Sequence, residues 1–70
     1  MNTKELKAQM VRKGKTVDDL CNALGISRSA WFRKVGGDSE FTQGEISGLR
    51  AELDLDDQQT GLIFFDENVS

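Results

Sequence analysis

Seventy residues make one small domain at most, and 37% hydrophobic against 30% charged residues is ordinary for a soluble globular fold. With no histidine and a single cysteine, Cys21, the chain has no Ser–His or Cys–His pair, no zinc site of the usual kind and no internal disulfide. The net charge of −3 hides a division: residues 1–37 carry eight Lys or Arg against three acids, a local +5, whereas residues 38–70 carry one Arg against nine acids, a local −8.

Five helices and no strand are expected, an all-α compact bundle of short helices. The first opens at Asn2, with Glu5 three residues on as a capping box, and sets Leu6, Met10 and Val11 on one face. Arg12, Lys13 and then Gly14 close it, cations followed by glycine being the usual helix C-terminal pattern. Thr16 with Asp19 forms a second box and opens a helix whose Leu20, Cys21, Ala23 and Leu24 face inward, and Gly25 stops it. Ser27 caps a third helix that runs to Gly36 and Gly37. After a surface loop at residues 38–40, Thr42 with Glu45 opens a fourth helix with Ile46, Leu49 and Leu53 as its apolar stripe; Phe41 is spaced to staple onto Ile46. Asp56 with Gln59 suggests a short fifth helix before the apolar run Leu62, Ile63, Phe64 and Phe65.

The stretch from residue 16 to residue 37 has the layout of a helix-turn-helix within a single domain spanning residues 1–70, of which 38–70 form an acidic helical half. Gly25 suits the turn because glycine reaches positive φ freely. Cys21 is small enough for close helix approach, and Leu20, Leu24, Ile26, Trp31 and Val35 are placed to lock the corner. At about 100° per residue the third helix sorts into two sides. Ala30, Trp31, Lys34 and Val35 fall on one; Arg28, Ser29, Phe32 and Arg33 fall on the other. The second set is what a major-groove reader uses: arginine for guanine, a short hydroxyl for several bases and an aromatic for a thymine methyl.

Thr16, Leu20, Leu24, Gly25, Ile26, Ser27, Arg28 and Ser29 fit a T-x-x-x-L-x-x-x-L-G-I-S-R-S pattern, and on these residues the chain resembles the Cro/repressor-type (XRE-like) helix-turn-helix family. The longer SRSAWFRKVGGDSEFTQGEI, with IFF before Val69, resembles small Cro-like regulators of temperate phages of Gram-positive bacteria. The resemblance covers residues 3–65 and implies an all-helical domain that binds an operator, usually as a dimer, in a lysis–lysogeny switch. It makes residues 27–34 the recognition helix and its phosphate flank, so that the helix 27–36 reads the major groove. Two positions depart from the pattern: Val17 stands where glutamine often orients a backbone contact, and Lys34 where an apolar residue is common. Lys34 is expected to bury its stem and lift its ammonium toward phosphate.

Base contacts are therefore expected from Arg28, Ser29, Phe32 and Arg33, and phosphate contacts from Lys15, Thr16, Ser27 and Lys34. Trp31 and Cys21 are expected in the core. Phe32 has two readings, contact with DNA or a partner, and packing against the fourth helix. Leu62, Ile63, Phe64 and Phe65 have three: lid of the core, dimer contact, or interface for another protein. The expected function is a sequence-specific DNA-binding transcriptional regulator, a homodimer at least on a palindromic double-stranded operator. The alternative is an antirepressor that captures an opposing phage repressor. No enzymatic constellation, cofactor or metal is expected. Nor is a membrane partner: no apolar run approaches the ~20 residues that span a bilayer, and the first residues lack a signal-peptide pattern. The cytoplasm of a bacterial host is the expected location.

Overall fold

Each helix starts where a side chain takes up one of the backbone N–H groups that an α-helix leaves unpaired. The structure, a computed structural model, describes residues 1–65 and contains α1 (Thr3–Lys13), α2 (Val17–Leu24), α3 (Arg28–Gly36), α4 (Gln43–Leu53) and α5 (Asp57–Phe64), with no strand among the described residues. Val69 and its neighbours at 66–70 lie outside that range. Asn2, Thr16, Ser27, Thr42 and Asp56 are the N-caps, each accepting from the N–H three residues on. The reciprocal bond of a capping box forms in α2, α4 and α5.

The box expected at Asn2 is only half formed. The Asn2 N–H donates to the Ile63 carbonyl at 2.8 Å, and the Glu5 carboxylate accepts from Gln9 Nε2 at 3.0 Å instead. A tertiary bond to α5 has taken the donor that the local motif would use. At the other ends, Gly14 and Gly25 turn left-handed with φ of 69° and 71°, and Asp54 ends α4 at φ 52°.

The apolar stripes meet in one core of Leu6, Met10, Leu20, Cys21, Trp31, Leu49, Leu53, Leu55 and Ile63. α2 packs on α3 and α4, and α1 on α4 and α5, so α4 lies between the two halves of the bundle. The radius of gyration, 11.2 Å, matches the ~11 Å of a folded globule of this length. Two expectations about faces are corrected. Val11 is 82% exposed, because the buried stripe of α1 is Leu6, Gln9 and Met10, and Val11 lies a further ~100° round. Ala23 is exposed for the same reason, beyond the Leu20–Cys21 stripe of α2. The fifth helix also runs through Leu62, Ile63 and Phe64 instead of ending before them.

Candidate nucleic-acid interface

A three-residue connection, Gly25 to Ser27, joins α2 to α3. The left-handed Gly25 sends the chain back so that the Ile26 N–H donates to the Cys21 carbonyl at 3.0 Å, and the Cys21 thiol points at the Ser27 carbonyl, 3.8 Å away. Burial pushes the Cys21 thiol above its ordinary value, so it serves as a small packing group with little thiolate character. Trp31 is 2% exposed and meets Phe41 edge-on at 5.5 Å, and Phe41 meets Phe64 edge-on at 5.8 Å. This aromatic run sets the rotation of α3. With Trp31 inward, Arg28, Ser29, Phe32 and Arg33 all come out exposed along the opposite side. Phe32, at 52% exposure, is on the surface and is not packed under α4.

The cations around this face are largely paired within the chain. Arg28 Nη1 donates to Asp18 Oδ1, and its guanidinium carbon stands 5.7 Å from the centre of the Phe32 ring. Lys15 Nζ lies 3.3 Å from Glu52 Oε1. Lys34 Nζ lies 3.0 Å from Glu45 Oε1, with both side chains under one-fifth exposed, and donates to the Glu40 carbonyl at 3.4 Å. The ammonium expected to rise toward phosphate is thus turned the other way, toward the start of α4, where a half-buried carboxylate and the Phe41 ring at 5.8 Å hold it. Arg33 has no ion pair among the described residues. Thr16 and Ser27 are exposed; their hydroxyl oxygens accept from Asp19 and Ala30 N–H groups, which leaves each hydroxyl hydrogen for an outside acceptor.

Two carboxylates near the face sit below their ordinary range. The Thr42 N–H holds Glu45 down, against an opposing effect of burial and with help from Lys34. The Thr16 N–H does the same for Asp19. Sequence reasoning missed the acidic partners Asp18, Glu45 and Glu52. Asp18 and Arg28 are ten residues apart, a spacing no helix period brings together; only the turn at Gly25 does.

The apolar run of residues 62–65 divides. Of the three readings of this run, Ile63 takes the core one, being fully buried and so turned away from any interface, and Phe64 is half-buried against Phe41. Leu62 and Phe65 are 44% and 60% exposed. Phe65 borders a cleft of about 280 Å³ with Met1, Phe41, Ile46 and Phe64, and an adjoining one of about 190 Å³ over Ile46, Arg50 and Thr60. Among the described residues no helix is long and apolar enough to cross a membrane.

Comparison of the chain with known protein families, with curated proteins and with solved structures gives no match.

Proposed function

We propose that this protein is a sequence-specific DNA-binding transcriptional regulator in which α2, the Gly25 turn and α3 act as a helix-turn-helix and α3 reads the major groove. One observation carries the reading: Arg28, Ser29, Phe32 and Arg33 lie exposed together on the side of α3 opposite the buried Trp31. They start at the helix N-terminus, the end that meets base edges in this layout. Lys15, Thr16 and Ser27 flank them as phosphate contacts, Thr16 and Ser27 through their hydroxyl hydrogens and Lys15 through an ammonium that would have to leave Glu52 for the phosphate. Two copies would set their α3 helices in successive major grooves about 34 Å apart on a palindromic site. The resemblance to Cro/repressor-type regulators adds a role as a repressor in the lysis–lysogeny switch of a phage, acting in the host cytoplasm.

The test is enrichment of bound sequences from a random duplex library at about 0.15 M salt. A palindromic motif is expected, and Arg33→Ala should relax base preference at one position of each half-site. A folded protein that enriches nothing would overturn the reading. The second reading, an antirepressor that captures an opposing repressor, draws on the exposed Leu62 and on the exposed Phe65, which borders both clefts. Co-purification with that repressor, lost on changing Leu62 and Phe65 but kept on changing Arg28, would favour it.

A further inference from the structure

An arginine that faces DNA can act in two ways. It can replace a counterion at a phosphate, which makes binding steeply salt-dependent, or it can offer N–H donors to a base edge. Whether its charge is already compensated decides between them. Arg28 is the first residue of α3 and Asp18 the second of α2, and the Gly25 turn sets them side by side. One guanidinium N–H goes to the Asp18 carboxylate, and the Phe32 ring lies close by. Four of the five guanidinium N–H groups remain. Both side chains are well exposed, at 59% and 66%, so the pair adds little to folding and sits where a ligand would arrive. Asp19 beside it is engaged in the capping box, whereas Asp18 has Arg28 alone as its polar side-chain partner among the described residues.

We propose that Asp18 is a positioning residue that turns Arg28 from a phosphate-binding cation into a net-neutral donor array for a base edge, guanine O6 and N7 being the matching acceptors. This rests on the reading of α3 as a DNA reader. A phosphate drawn to Arg28 would have to approach the Asp18 carboxylate, which repels it. A guanine edge carries no charge and meets the free donors without displacing Asp18. The pair therefore favours base reading over indiscriminate backbone binding, in a chain whose other cations near α3 are also mostly paired.

The full chain, Asp18→Asn, Asp18→Glu and the double variant Arg28→Ala with Asp18→Asn are titrated over a salt series onto two duplexes, the library-enriched one and a scrambled one of the same length. The double variant removes both charges of the pair, so it should lose about tenfold or more in preference for the enriched duplex, with the salt slope unchanged. Asp18→Asn frees the Arg28 charge. It should bind the scrambled duplex more tightly, steepen the salt slope by about one and narrow the preference. Asp18→Glu should restore the behaviour of the unmodified chain. A helix-terminal role alone would change the melting temperature of Asp18→Asn and leave its slope where it was. An unchanged slope in Asp18→Asn, or a slope shallower by about one in the double variant, overturns the inference while the DNA reading stands. Failure of the unmodified chain and of Asp18→Asn to bind either duplex overturns both.

Discussion

Gln9 sits in α1 at 1% exposure, its Nε2 donating to Glu5 and its Oε1 buried without a partner. A buried acceptor left unpaired costs about 1–3 kcal/mol, whereas an apolar group of the same shape costs nothing of the kind. Gln9→Met keeps the unbranched length and removes the orphan oxygen, so it should stabilise the fold by about 1 kcal/mol in urea unfolding. A loss of stability instead would mean that Oε1 is hydrated. Asp54 carries backbone strain, as the one non-glycine at positive φ among the described residues. Its pairing with Lys13, at 4.0 Å and with the carboxylate 94% exposed, adds nothing measurable. Asp54→Gly should therefore gain about 0.5–1 kcal/mol, since glycine meets no Cβ penalty there. At this scale legibility was uneven. Trp31 and Cys21 were readable as core because the period of their helices turns them inward. Gln9 was not, because polarity argued for surface and only packing against the other helices covers it.

The element boundaries were the most legible part of the fold, because caps are local chemistry: Thr16 with Asp19, Thr42 with Glu45 and Asp56 with Gln59 each close within one turn. The approach of one helix to another was not legible. Gly48 in α4 is the example. A Cβ placed there would come within 2.6 Å of Leu24 Cδ2, so its missing side chain lets α4 close on α2. Gly61 in α5 has nothing within 4 Å of such a Cβ. Both lie within helices, where alanine is favoured over glycine by about 0.5–1 kcal/mol. Gly61→Ala should deliver that gain in thermal or urea unfolding. Gly48→Ala should gain less, because Leu24 Cδ2, the end of a half-buried side chain packed against the core, must move first. In a Leu24→Ala background the obstacle is gone, and Gly48→Ala should then stabilise. Equal effects of Gly48→Ala in both backgrounds would show that Leu24 yields freely and that the spacing of α2 and α4 does not depend on Gly48.

Across the whole molecule, the sequence divides into a basic and an acidic half, but the fold joins them. Lys13–Asp54, Lys15–Glu52 and Lys34–Glu45 each link a cation from the first half to an acid from the second. Nothing local forecasts such pairs, and they explain why charge counted along the chain overstates the positive field at α3. The least exposed of them, Lys34–Glu45, ties the end of α3 to the start of α4, and Glu45 also closes the capping box with Thr42. That carboxylate is held below its ordinary value of 4.5, first by the Thr42 N–H. The unfolded chain consequently takes up the proton at higher pH than the folded one. The stability this contributes is complete above the ordinary value and is lost as pH falls through the depressed one. Asp19, held down by the Thr16 N–H from 3.8, acts in the same direction slightly lower on the scale. The unfolding free energy should therefore fall on acidification from about pH 5 to pH 3. Glu45→Gln keeps an acceptor for the Thr42 N–H but cannot titrate. It should be less stable than the unmodified chain at pH 7, lose less on acidification, and approach it at the acid end, as read by urea unfolding at each pH. A variant whose curve runs parallel to that of the unmodified chain would place the acid sensitivity in other carboxylates and reduce Glu45 to a cap.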